Sequence, residues 1–460
     1  MARAKTPRVN IFDDSKPMWQ IFLVFLIPLM IANILQSAGQ TFQFIFLGRL
    51  IGVNALAAVS AVFPIVFFLF SFLLGIASGS TVLIGQAYGA GDHHRVKKVA
   101  GTVLGGTLVF SLFVAIVGTL FSPYMLTLLA TPPQILPQAD AYTRVVFLSA
   151  PVLFTSLMYT TFLRGTGDSQ TPLIFLVLGT VLSVAFTPVF VLGWFGLPHL
   201  GVVSAAVSGI LSSAISMGAL LVLLARTNHP LKFDGEMARD MIFDPHLLWT
   251  VMRIGIPTGI QVVTVSLAEI ALISFVNRYG PSATAAYGAV NQIVGYVQFP
   301  AISIGIAASI FSAQCIGARR EDKLGSVIRS AVLLNYAVTG AFILICYAAA
   351  YLLLGLFVTD AHTIEIAHAL LFITLWSYVL FGNSAALSGV MRGSGTVLVP
   401  TANAIFAILC VEVPVAYWLM HVYGLNGIWM GYPAAYAFVL AAQFTYYTLV
   451  WKKKTHEKLV

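Results

Sequence analysis

The sequence has 460 residues, of which 59% are hydrophobic and only 9% charged, with a formal net charge of +8 and a mean hydropathy of +0.93. Soluble domains carry about 25% charged residues, so water is excluded as the solvent for most of this surface and lipid takes its place. The excess of Lys and Arg forms no basic face with interleaved aromatics, which excludes a nucleic-acid partner.

A membrane-spanning helix needs roughly 20 apolar residues. Twelve such runs are predicted, at 18–46, 55–84, 99–122, 142–163, 173–194 and 201–225, then 249–277, 283–312, 327–357, 364–389, 398–421 and 427–450. The first is too long for the core of a signal peptide and reads as a retained helix. Lys and Arg collect in the breaks 87–98, 164–171, 226–247 and 317–325 and in the Lys452–Lys454 tail. Of 24 such residues, Arg49, Arg144 and Arg278 fall on the other side. This positive-inside pattern places both termini in the cytoplasm and the chain as a multi-pass protein of a cell (inner) membrane. Cys315, Cys346 and Cys410 have neither metal spacing nor a disulfide framework, and read as small hydrophobes.

Residues 226–247 are the longest hydrophilic stretch and carry Asp234, Glu236, Asp240 and Asp244. They are expected to link an N-lobe, 1–225, to a C-lobe, 248–460. An internal repeat supports this division. Ala55, Ala58, Val62 and Ile65 recur as Ala283, Ala286, Val290 and Ile293; Gln86 and Gly89 recur as Gln314 and Gly317. Arg164, Gly165, Gly167 and Pro172 recur as Arg392, Gly393, Gly395 and Pro400, and Gly196-Leu197 as Gly424-Leu425, every pair 228 residues apart. Chance does not hold one register through four blocks. Two copies with an even number of spans insert in one orientation, related by a pseudo-two-fold along the membrane normal. The expected fold is therefore all-α: twelve transmembrane helices in two pseudosymmetric six-helix lobes, with a cleft between them that opens to alternate sides.

The paired Arg-Gly-x-Gly-x(4)-Pro blocks, Phe46-Leu47-Gly48-Arg49 ahead of Ala55-Leu56-Ala57-Ala58, and Gln86-Ala87-Tyr88-Gly89-Ala90 together carry a resemblance. The chain resembles the multidrug and toxic compound extrusion (MATE) family, in its bacterial NorM- and DinF-like branches, over nearly its whole length. The resemblance implies H⁺- or Na⁺-coupled antiport of small, cationic amphiphilic drugs. The Arg-Gly-x-Gly blocks also have a plain reading: glycine ends the helix and turns the chain, while Arg164 and Arg392 bond the last carbonyls or lipid phosphates.

Coupling needs an exchangeable group inside the membrane. Ionised side chains there cost on the order of 2.5–3.5 kcal/mol on insertion scales, and only two of sixteen acids lie well inside spans, Glu269 and Glu412. Glu269 lies nine residues before Arg278, and Glu412 nine before His421, each roughly 13 Å below the outer surface. Glu269, in a Leu-Ala-Glu setting, matches the span-seven carboxylate of NorM-like members, which implies a coupling and substrate role and, under Na⁺ coupling, a metal ligand. A protonated, hydrogen-bonded structural acid is the alternative for each. Gln261, Tyr287 and Asn291 are further polar candidates, as are Gln292, Gln298 and Asn383, each equally readable as packing glue.

The N-lobe departs from the family pattern, with Phe42-Gln43-Phe44 and Thr187-Pro188 where many relatives carry Asp. Gln36, Gln40 and Gln43 share one face at i, i+4 and i+7. They point either into the cleft or to neighbouring helices through amide bonds. Pro28 and Pro257 correspond, and Gln40 and Glu269 each follow twelve residues later; the prolines favour bends or hinges.

A drug-exporting, monomeric antiporter with no resident cofactor is the expected function, with H⁺ or Na⁺ as coupling ion. The alternative is a lipid-linked oligosaccharide flippase of the related superfamily, against which stands the lack of Lys or Arg deep in any span. The nine His form no HExxH or paired cluster, so an enzyme is not expected.

Overall fold

A computed structural model describes residues 10–129, 131–196, 199–242 and 244–459, so Leu197 of the repeated Gly-Leu pair lies outside the described residues. The first six long helices are α1 (Met18–Leu50), α2 (Val53–Gly89), α3 (His93–Leu128), α4 (Leu136–Gly165), α5 (Gln170–Leu192) and α6 (Val203–Arg226). After a short linker helix, Gly235–Asp240, come α7 (Pro245–Val276), α8 (Pro281–Gly317), α9 (Glu321–Ala348), α10 (Ala361–Gly393), α11 (Leu398–Tyr423) and α12 (Gly431–Leu449). No strand occurs among the described residues. Eleven of these helices are long and apolar enough to cross a membrane. The twelfth, α12, is long enough, but Tyr432, Tyr436, Gln443, Tyr446 and Tyr447 keep it from being apolar enough.

The helices outrun the predicted spans. At 1.5 Å per residue, the 37 residues of α8 reach about 55 Å, against roughly 30 Å of hydrocarbon. Acids cap several helix starts: Asp92, Asp168, Asp244 and Asp360 accept backbone N–H bonds at the starts of α3, α5, α7 and α10.

The chain divides into two compact units, one from 31–88 and 92–253, the other from 9–30, 89–91 and 254–460. α1 and α7 thus each contribute to both.

In the first unit the polar linker is a docked element. Gly101 and Gly105 of α3 let it approach so closely that Cβ atoms on them would lie 2.7 Å from Asp240 Cβ and 2.1 Å from the Met241 carbonyl oxygen. Met237 is fully buried, with the Tyr159 hydroxyl 3.4 Å from its sulfur. Lys97 bonds both Asp234 (2.6 Å) and Glu236 (2.7 Å), and Lys98 pairs with Asp244 at 3.0 Å. Partial burial raises the Asp234 carboxyl, but its Lys97 and Met237 bonds outweigh that and hold it below the ordinary range. Glu236 and Asp244 are lowered by their bonds to Lys97 and Lys98.

In the second unit α8 packs along α10 through small residues. A Cβ on Gly389 would lie 2.2 Å from the Gly305 carbonyl oxygen, and one on Gly393 2.7 Å from that of Ser309. The Ser312 hydroxyl donates to the Val390 carbonyl at 2.9 Å. Small residues bring backbones together where lipid supplies no hydrophobic drive. Phe22 and Phe25 of α1 pack on Phe311, and Trp451 joins the same core. The Trp451 indole donates to Ser394 Oγ at 2.9 Å, His456 stacks on it at 4.1 Å, and Leu459 meets Gly395. Cys315 and Cys346 are buried as expected; Cys410 is exposed instead.

Candidate functional site

Several acids near the helix ends are ion-paired: Asp14 with Lys323, Asp140 with Arg144 and Asp322 with Arg320. Glu269 and Glu412 differ in lying well inside spans. Neither takes part in any ion pair among the described residues.

Both belong to the second unit. Glu412 closes a π-turn, Ala407–Glu412, inside α11, and is only 6% exposed. Such turns carry one extra residue per hydrogen-bonded loop and recur at functional sites. Gly431 permits the close approach of α12, since a Cβ there would lie 2.8 Å from the Glu412 carbonyl oxygen. Glu269 sits at the edge of the buried face of α7. Ala268 and Leu272 are buried beside it, while Leu267 and Ile270 are exposed. The Glu269 side chain is itself exposed. The α7 stripe around it turns toward α8 and α10, whose tyrosines feel its charge.

The two carboxylates are within electrostatic reach of each other and of Tyr287, Tyr378 and Tyr436. These rings come from three helices. Tyr432 and Tyr436 stand one turn apart on α12, Tyr287 on α8, and Tyr378 with Phe381 on α10. The Tyr287 and Tyr432 hydroxyls are 3.1 Å apart, Tyr287 also bonds Asn291, and Tyr378 bonds Tyr436. Trp429 stacks on Tyr287 at 5.7 Å and 10°, and the Tyr436 ring lies 5.3 Å from both Tyr378 and Phe381. Two acids in no ion pair among the described residues, within electrostatic reach of a tyrosine cluster, are chemically suited to a cation.

The other predicted residues distribute as follows. Asn291 is exposed and tied to Tyr287; Gln261 is half-buried two turns before Glu269 on α7. Gln36 and Gln40 are exposed on α1 in the first unit. Gln43 instead donates to Ser183 Oγ of α5 at 2.8 Å, which is the packing role. Asn383 accepts from Asn335. Pro28 and Pro257 lie inside α1 and α7. Arg164 and Arg392 are half-buried at the ends of α4 and α10, followed by Gly167 and Gly395 at φ +84° and +81°, the left-handed turn that the glycines suggested. Tyr378, Trp429, Tyr432 and Tyr436 did not stand out in the sequence. The signal was present in the i, i+4 tyrosines of α12.

Comparison with known proteins identifies the family of the chain. The MatE family profile matches twice, at residues 28–189 and 257–418, one match in each half. "Probable multidrug resistance protein YoeA" of Bacillus subtilis (strain 168) is 48% identical over 462 residues, covering all of both chains. "Multidrug export protein MepA" of Staphylococcus aureus is 24% identical over 95% of each chain. Among solved structures, the Vibrio cholerae MATE transporter VcmN in its bent form superposes with a TM-score of 0.86 at 18% identity, over 94% of this chain and 96% of the other.

Proposed function

Because this chain belongs to the MatE family and is a multidrug efflux transporter, we propose that it exports small organic cations by H⁺- or Na⁺-coupled antiport through the Glu269–Glu412 site. One observation carries the reading: two intramembrane acids are in no ion pair among the described residues and lie within electrostatic reach of Tyr287, Tyr378, Tyr432 and Tyr436. Unneutralised charge in apolar surroundings is costly, so the pair is stable only with a proton, a metal cation or a cationic substrate to offset it. That need makes the three mutually exclusive occupants, and exclusion is what antiport requires. Under Na⁺ coupling Glu269 is a metal ligand; under H⁺ coupling it is the proton carrier. Aromatic faces add attraction for flat or quaternary cations, on the order of 0.5–2 kcal/mol each. No resident cofactor is needed.

The two halves then expose this site alternately to either side of the cell membrane, with the linker and both termini in the cytoplasm and one chain as the working unit. Gln261 contributes a neutral hydrogen bond to the substrate. A lipid-linked oligosaccharide flippase would be expected to offer cations to a pyrophosphate, and the acid pair disfavours that substrate.

Transport of a fluorescent organic cation into proteoliposomes, driven in turn by an imposed pH gradient and an imposed Na⁺ gradient, tests the reading. Uptake driven by one gradient supports it, and uptake indifferent to both overturns it.

A further inference from the structure

A second intramembrane polar cluster lies in the same unit, where α9 meets α10. α9 contains its own π-turn, Asn335–Thr339. Asn335 and Thr339 open and close it, and both are completely buried. The Asn335 amide donates to the Val379 carbonyl and to Asn383 Oδ1, each at 2.9 Å. Both amide hydrogens are thereby used. Asn335 Oδ1 and Thr339 Oγ1 are left, each a fully buried oxygen with no protein partner. Gly382 of α10 makes room for the amide, because a Cβ there would lie 2.0 Å from Asn335 Oδ1.

Buried polar atoms without partners call for a ligand that the protein itself does not supply. The missing partner of Asn335 Oδ1 must be a donor. It must also be small, since Gly382 already yields its side chain to the amide. Two neutral oxygens with no acid beside them offer poor compensation for a desolvated metal ion, whereas a buried water makes 2–4 hydrogen bonds in such places. We propose that a water molecule resides at the α9 π-turn, donating to Asn335 Oδ1 and bonded to Thr339 Oγ1. This hydrated node acts as a strut. Asn335 grips the carbonyl of Val379, the residue after Tyr378, and so fixes the α10 turn that presents Tyr378 to the acid pair. Asn335 and Thr339 are positioning residues, and this role rests on the reading of Tyr378 as part of the cation site.

The test combines a structure of the full protein that resolves ordered water with transport kinetics. A peak within hydrogen-bonding distance of both oxygens is expected, unchanged when Rb⁺ or Tl⁺ replaces Na⁺. An absent peak, or one that strengthens with the heavier ions, overturns the assignment. Thr339→Val keeps the shape and removes the hydroxyl; KM for the exported cation should rise about tenfold, and Thr339→Ser should restore it. A Thr339→Val protein that melts earlier but keeps its KM shows a purely structural node and overturns the positioning role. The Glu269→Gln variant separates the two readings. If it still exports, the cation site is wrong; if it fails while Thr339→Val transports normally, only the strut is wrong.

Discussion

The two halves share an ancestor but not a chemistry. In the second unit, the position twelve residues after the first-helix proline is Glu269, within reach of Glu412 and a set of tyrosines. In the first unit the matching position is Gln40, and its neighbour Gln43 is used to bond Ser183 of α5. Hydroxyls line the interior of that unit: Thr187, Ser204, Ser208 and Ser212 are buried there. Ser204 and Ser208 return their hydroxyls to carbonyls of their own stretch of chain. Duplication supplied two scaffolds, and the two acids that lie well inside spans sit in one. The difference teaches that helical packing in lipid tolerates hydroxyls and amides easily, whereas an ionised acid there is costly and needs compensation.

Substitutions can break this contrast. Glu269→Gln removes the accessible charge and should lower gradient-driven transport by about a hundredfold or more, with the protein still in the membrane; near-normal export would dissolve the contrast. Glu412→Gln leaves the exposed acid in place, and a loss of about tenfold is expected from the same proteoliposome assay. The double variant Gln40→Glu, Glu269→Gln moves the acid to the duplicated position. It should remain as inactive as Glu269→Gln, because no second acid lies well inside a span of the first half; recovery of transport would show that the halves are interchangeable after all. Gln43→Leu should lower stability by about 1 kcal/mol, the worth of one hydrogen bond, in denaturant titrations, and leave the ion dependence of transport unchanged.

The smallest effect belongs to the linker. Asp234, Glu236 and Asp244 are held below the ordinary carboxylate range, Asp234 against its own desolvation. Groups lowered on folding contribute stability above their unfolded pKa and lose it as pH falls through the folded value. Protection from hydrogen exchange over 234–244, taken relative to the intrinsic rate at each pH, should therefore be unchanged near neutrality and fall only below the ordinary carboxylate range. Loss of protection between pH 6 and 8 would contradict these pairings.

Much of this was legible in the sequence because lipid imposes simple rules. Long apolar runs, the 228-residue register and the two acids inside spans follow from periodicity and charge alone. Other features depend on which helix neighbours which. Gly101 and Gly105 look like ordinary small residues of a span until Met241 is found against them. Tyr432 and Tyr436 make α12 less apolar, and composition cannot say whether such tyrosines meet an acid, a lipid headgroup or one another. The π-turns at Asn335 and Ala407 have no composition signature, since each is one inserted residue in an otherwise helical run. The exposure of Glu269 was likewise hidden, because a span's sequence gives depth along the helix but not the direction a side chain faces.

Trp451 and the residues after it have a practical bearing. Its indole is bonded to Ser394, His456 lies flat upon it, and Leu459 rests against Gly395, so the last turn of chain is a wedge in the fold. Reporter fusions and affinity handles joined directly at this end would pull on that wedge. A flexible spacer placed ahead of them leaves it seated, and comparing the two attachments shows how far the rest of the bundle relies on its final residues.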